Sequence, residues 1–157
     1  HYQTMSSQDI AAMPVGALSN RDAVLYLWTT VPFLEISLGV ANAWGFAYKS
    51  SMVWVKERIG TGYWARNRHE IVLICKRGRF PAPAPAFRPD SVIEGQQRKH
   101  SHKPDALQEI IEAAWPNASK IELFARNFRP GWTAWGNQLA VKSSAPETIA
   151  QNERLIR

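Results

Sequence analysis

Short, almost uninterrupted apolar runs constrain this chain more than any other feature. Ala23-Val24-Leu25-Tyr26-Leu27-Trp28 and Ile71-Val72-Leu73-Ile74-Cys75 leave no room for a solvated face. They fall far short of the roughly 20 residues that span a bilayer. Such runs predict strands buried on both sides. Met52-Val53-Trp54-Val55 and Lys120-Ile121-Glu122-Leu123-Phe124 read as further strands, and Ser91-Val92-Ile93 as a short one. Between them the apolar spacing turns helical. Phe33, Ile36, Val40 and Trp44 mark one helix, with Gly45 as its stop. Residues 104–115 mark another, with Pro104 at its first position, Asp105 in its first turn and a stripe of Leu107, Ile110, Ile111 and Ala114. Ser6 and Ser7 cap a short helix over residues 8–13 that Pro14 ends. Phe80-Pro81-Ala82-Pro83-Ala84-Pro85 cannot lie in a central strand, because proline lacks the ladder N–H, and reads as an extended surface loop. Strands alternating with helices predict an α/β sandwich around a largely parallel sheet. In such sheets ligands bind at the carboxyl ends of strands. That rule points to the residues just after Trp28, Val55 and Phe124.

At 157 residues the chain is long enough for one domain with a real core. We place that domain at residues 1–139 and read residues 140–157 as a polar tail, with a surface helix over 149–156. The formal net charge of +6 favours a polyanionic partner, since Lys and Arg gain affinity by releasing counterions from phosphates. With Cys75 the sole cysteine, no internal disulfide can form, which fits a cytoplasmic protein. Neither a membrane-spanning run nor a signal-peptide pattern is visible.

Four segments carry residues suited to chemistry. Arg98-Lys99-His100-Ser101-His102-Lys103-Pro104-Asp105 is dense in donors and sits before a helix, where a carboxylate or phosphate would be held. A solvated basic loop explains it equally well. His100 and His102 with a single thiol elsewhere fall short of a zinc ligand set, so no metal is expected. Gly60-Thr61-Gly62-Tyr63-Trp64 lacks the Gly-Lys-Ser/Thr ending of a phosphate-cradling loop. Flanked by Arg58, Arg66 and Arg68, it could grip a nucleotide backbone and stack on a base, or form a hairpin with a partly buried Trp64. Arg126-Asn127 and Asn137-Gln138 offer paired donors and acceptors of the kind ribose hydroxyls need, or plain turn chemistry.

Read in order, these segments resemble the MT-A70 family. The matching pieces are Tyr2-Gln3-Thr4-Met5, Met13-Pro14-Val15, Leu25-Tyr26-Leu27-Trp28-Thr29-Thr30, Ala43-Trp44-Gly45-Phe46 and Val53-Trp54-Val55-Lys56. Gly60-Thr61-Gly62-Tyr63-Trp64, His69-Glu70 and His100-Ser101-His102-Lys103-Pro104-Asp105 continue the series. Lys120-Ile121-Glu122-Leu123-Phe124-Ala125-Arg126, Gly131-Trp132 and Trp135-Gly136-Asn137-Gln138-Leu139 close it. The resemblance implies a Rossmann-like methyltransferase domain that moves a methyl group from S-adenosyl-L-methionine to the N6 amine of adenine. It implies that Lys103 pairs with the cofactor carboxylate and that Arg126, Asn127, Asn137 and Gln138 hold the ribose and nearby atoms. Substrate contacts are expected from Arg58, Tyr63, Trp64, Arg66 and Arg68 and from Arg98, His100 and His102. The compact length resembles prokaryotic and phage members, which favours DNA over RNA. A homo- or heterodimer is open.

One departure matters. The family's Asp-Pro-Pro-Trp, which orients the adenine amine, stands shortly before the segment matching Tyr2-Gln3-Thr4-Met5, and no Asp-Pro-Pro occurs here. We therefore assign no catalytic residue and expect the N-terminal part of the domain to be missing. The alternative is a noncatalytic, nucleic-acid-binding partner subunit. Retention of Lys103, Arg126, Asn137 and Gln138 speaks against it, because such a partner has no use for cofactor ligands.

Overall fold

A computed structural model describes residues 4–94, 103–137 and 139 of the chain. They fall into two compact units divided after Pro116.

The first unit opens with α1 (Ser7–Ala12), whose N-cap Ser6 accepts a hydrogen bond from the Asp9 N–H at 3.1 Å. Met13 is extended, as a residue before proline prefers, and a single turn α2 (Val15–Leu18) follows Pro14. Strand β1 (Ala23–Thr29) leads through a 3-10 turn (Val31–Phe33) into α3 (Leu34–Ala43) and then β2 (Ala47–Val55). Residues 56–68 form a loop to β3 (His69–Arg77). The proline segment stays outside the sheet, with a 3-10 turn at Pro85–Phe87, before the short edge strand β4 (Val92–Ile93) and helix α4 (Ala106–Ala114).

The α/β class is as the sequence predicts, but the strand pairing corrects the expectation of a largely parallel sheet. The order is β1-β3-β2-β4, with β3 antiparallel to both β1 and β2, and only β2 and β4 pair in parallel. The cause is the β2–β3 connection. It holds no helix, and a parallel return would need a crossover. Strands β1, β2 and β4 do point the same way, as α3 crossing between β1 and β2 requires. Strand β3 is inserted between them in the opposite sense. The carboxyl ends of β1, β2 and β4 and the amino end of β3 therefore share one edge of the sheet.

The core explains which side chains reach that edge. Side chains on a strand alternate between faces. Met52 and Trp54 on β2, Val72 on β3, Ile93 on β4 and Leu107 on α4 form a buried cluster, packed by Tyr26, Trp28, Ile74, Ile110 and Ile111. The predicted α4 stripe thus covers this face. Glu70 shares it, two residues before Val72 and in register with Trp54.

In the second unit β5 (Lys120–Leu123) and β6 (Trp132–Trp135) pair in parallel. The predicted strand stops one residue early, at Leu123, and β6 was not predicted. The 140–157 tail lies outside the described residues.

Candidate functional site

The sheet edge carries a charged cluster made of residues remote in sequence. Glu70 is buried, with 8% of its surface exposed. Its Oε1 accepts a hydrogen bond from Lys56 Nζ at 2.9 Å and its Oε2 accepts another from Lys103 Nζ. Lys56 stands directly after β2. Lys103 precedes the first turn of α4, and its ammonium lies 5.3 Å from the centre of the Trp28 ring. That ring meets Trp54 edge-on at 6.1 Å, so the surface beneath Lys103 is anchored in the core. Burial by itself would raise the Glu70 pKa, but the hydrogen bonds from Lys103 and Lys56 outweigh it and hold the carboxyl below its usual range. Glu70 is thus ionised at neutral pH, and two ammonium groups share one carboxylate. The cluster carries a formal excess of one positive charge, on two lysines whose side chains are 24% and 36% exposed. An arrangement of this kind can receive one further anionic group from solvent.

From the same edge springs the 56–68 loop. The Lys56 N–H donates to Arg68 O at 2.8 Å and the Gly60 N–H to Asn67 O at 3.0 Å, which closes its stem. Arg68 Nε donates to Lys56 O at 2.9 Å and Arg66 Nε to Gly60 O at 3.1 Å. Tyr63 and Trp64 stand at its tip, fully exposed. The hairpin reading of the sequence holds for the backbone, but Trp64 is not partly buried.

In the second unit the predicted polar residues gather at the carboxyl ends of two parallel strands. Arg126 and Asn127 follow β5, and Asn137 follows β6. The Ala125 N–H donates to Trp135 O at 2.9 Å. Gly136 permits this approach, because a Cβ there would overlap the Ala125 carbonyl oxygen. Between β5 and Ala125 the backbone turns at Phe124 with φ +60°, an outlier for a bulky residue, and the Phe124 ring packs edge-on against Trp135 at 5.6 Å. Asn127 and Asn137 are exposed, and Arg126 is half-buried.

Of the predicted site residues, Lys103 joins the Glu70 cluster. Arg126, Asn127 and Asn137 sit together in the second unit, and Arg58, Tyr63, Trp64, Arg66 and Arg68 share the loop. Arg98, His100, His102 and Gln138 lie outside the described residues. Sequence reasoning assigned no role to Lys56, Glu70 or Trp28. A usable signal existed for Lys56, the residue just after Val55 at the predicted ligand edge. Another existed for Glu70, a carboxylate abutting a buried apolar run. Among the described residues no group of three or more metal-ligating side chains converges, and no helix is long and apolar enough to cross a membrane.

Comparison with known proteins adds to this geometry. The family model described as MT-A70 matches residues 1–138. The chain is 33% identical over 139 residues to the type II methyltransferase M.MunI of Mycoplasma sp, covering 88% of this chain and 60% of that protein. It is 34% identical over 164 aligned positions to the N(6)-adenosine-methyltransferase MT-A70-like protein of Drosophila melanogaster, covering 98% of this chain and 27% of the relative. To the N(6)-adenosine-methyltransferase catalytic subunit METTL3 of Homo sapiens it is 31% identical over 161 positions, covering 96% and 27%. The chain thus spans 60% of the length of the first of these relatives and 27% of each of the other two.

Proposed function

Because the chain belongs to the MT-A70 family, we propose that it transfers a methyl group from S-adenosylmethionine to the N6 amine of adenine in DNA. The observation that carries this reading is the Lys56–Glu70–Lys103 cluster at the sheet edge where β1, β2 and β4 end. Its excess positive charge fits the carboxylate of an amino-acid cofactor. The exposed amides of Asn127 and Asn137 fit vicinal ribose hydroxyls, each amide supplying a donor and an acceptor. Each group, taken within its own unit, suits one part of the proposed cofactor. When bound, that cofactor supplies an electrophilic methyl group on a sulfonium.

The chain's own residues do the holding. Lys103 receives the carboxylate while Glu70 and Trp28 restrain its flexible stem. Asn127, Asn137 and Gln138 bind the ribose, with Arg126 beside them. Arg58, Arg66 and Arg68, with Arg98, His100 and His102, contact the nucleic acid. The exocyclic amine of adenine is a weak nucleophile, so orientation supplies most of the rate. Similarity to a type II methyltransferase of Mycoplasma sp, 60% of whose length the chain covers, favours DNA over RNA.

Calorimetric titration with S-adenosylmethionine tests the reading. Saturable binding that weakens at least tenfold in Lys103→Ala, a loss of about 1.4 kcal/mol, is the expected result. Binding that survives the substitution unchanged removes Lys103 from the site. Absence of binding to the folded chain removes the cofactor from the proposal.

A further inference from the structure

The tip of the 56–68 loop displays two aromatic side chains that the fold leaves uncovered. Tyr63 is 107% and Trp64 103% exposed, the highest values among the exposed large hydrophobic residues described. Rings of this kind present roughly 150–250 Å² each, and burying them is what normally repays their presence. The loop that carries them is held in shape. Its stem is closed by backbone hydrogen bonds from Lys56 to Arg68 and from Gly60 to Asn67. Two arginines brace it through Nε, Arg66 onto Gly60 O and Arg68 onto Lys56 O. The turn at the tip depends on Gly62, where a Cβ would overlap the Ala65 carbonyl oxygen. The aromatic pair is therefore presented by a shaped hairpin.

Its electrostatics identify what covers it. Between residues 57 and 68 three arginines, Arg58, Arg66 and Arg68, face a single acid, Glu57. A second copy of the chain would bring the same basic loop against this one, and like charges in contact disfavour that pairing. A polyanion with flat apolar faces is the complementary occupant. In a duplex every base already stacks on its neighbours, so its faces are withheld. An unpaired strand offers them.

We propose that Tyr63 and Trp64 form a stacking platform for unpaired bases of the nucleic-acid substrate, with Arg58, Arg66 and Arg68 on the adjoining phosphates. The platform gives the protein a preference for single-stranded or opened DNA over duplex. This deepens the function proposed above, and rests on it for the identity of the partner as a substrate.

Fluorescence anisotropy tests it with a labelled oligonucleotide, single-stranded or annealed to its complement, titrated with the chain at two salt concentrations. The wild-type chain is expected to bind the single strand more tightly. Tyr63→Ala and Trp64→Ala should each weaken single-strand binding about tenfold, the usual worth of one base stacked on one ring, and leave duplex binding unchanged. Trp64→Phe, which keeps a stacking face, should recover most of the loss. Arg66→Ala should weaken both forms and lower the salt dependence by about one counterion. Equal loss on single strand and duplex overturns the proposal, as does tight duplex binding that needs the rings as intercalating wedges. So does a Trp64→Ala variant that binds nucleic acid normally but converts a dimer to a monomer in sedimentation, since the pair would then be a protein contact. Calorimetry with S-adenosylmethionine keeps the two readings apart. Cofactor binding without strand preference refutes the platform alone, whereas strand preference without cofactor binding refutes methyl transfer alone.

Discussion

Replacing Glu70 with glutamine removes one charge from the cluster and almost no volume. At 2.9 Å the attraction between Lys56 Nζ and the Glu70 carboxylate is about 6 kcal/mol at an effective dielectric of about 20. Ordering a lysine stem costs about 1.5–2 kcal/mol and desolvation consumes more. A net charge-assisted hydrogen bond contributes about 1.5–3 kcal/mol. Glutamine can still accept from one ammonium but turns an amide N–H₂ toward the other. The lysine side chains, 24% and 36% exposed, recover part of their hydration. We therefore expect Glu70→Gln to cost about 2–3 kcal/mol at pH 7, below the roughly 3–5 kcal/mol of a fully buried pair. That corresponds to a melting shift of roughly 5–10 °C. Urea denaturation across pH gives a sharper test. The folded-state pKa of Glu70 lies below its unfolded value of about 4.3. Its contribution is thus fully present above that pH and is lost as pH falls through the folded pKa. Since glutamine does not titrate, the gap between wild type and variant should stay level from about pH 6 to 8 and narrow below about pH 4. A gap under about 0.5 kcal/mol at pH 7, typical of a surface pair, refutes the reasoning. So does a gap that does not narrow in acid.

Two further outcomes follow from the packing. Leu107→Ala removes the α4 anchor from the buried cluster and should destabilise the first unit by about 2–4 kcal/mol, measured by the same denaturation. Gly136→Ala places a methyl group into the Ala125 carbonyl, and should weaken S-adenosylmethionine binding in calorimetry at least tenfold by separating the ends of β5 and β6. Unchanged affinity would show that Asn127 and Asn137 need not be held together.

Much of the fold was legible because burial leaves a local pattern. The runs at 23–28 and 71–75 became β1 and the heart of β3, and the stripe of Leu107, Ile110 and Ile111 became the buried face of α4. Where burial is partial the pattern fails. The first half of β2, Ala47 to Ser50, is exposed and leaves no buried apolar run, so the sequence revealed only residues 52–55. Strand β6 is four residues long and alternates half-buried with exposed, too brief a period to recognise. The direction of β3 was missed for a different reason. Local pattern predicts strands but not their order, and the only local sign that β3 returns antiparallel is the absence of a helix from the 56–68 connection.

The Glu70 cluster shows why part of the proposed carboxylate site escapes sequence reading, and why that proposal calls for its parts together. Glu70 meets Lys56 across 14 residues and Lys103 across 33, distances that no helical or strand period spans. A lone Lys103 would sweep a four-carbon stem through solvent and lose that freedom on binding a ligand. Glu70 and the Trp28 ring fix the stem beforehand, at a cost, because a carboxylate that holds an ammonium also neutralises it. With Lys103 alone, Glu70 would form a neutral pair offering nothing to an incoming carboxylate. Lys56 resolves the conflict by taking the other carboxylate oxygen, so that Glu70 restrains Lys103 while the cluster keeps one positive charge in excess. The requirement for both lysines follows from charge balance, and the sheet meets it by ending β2 and beginning β3 at the same edge.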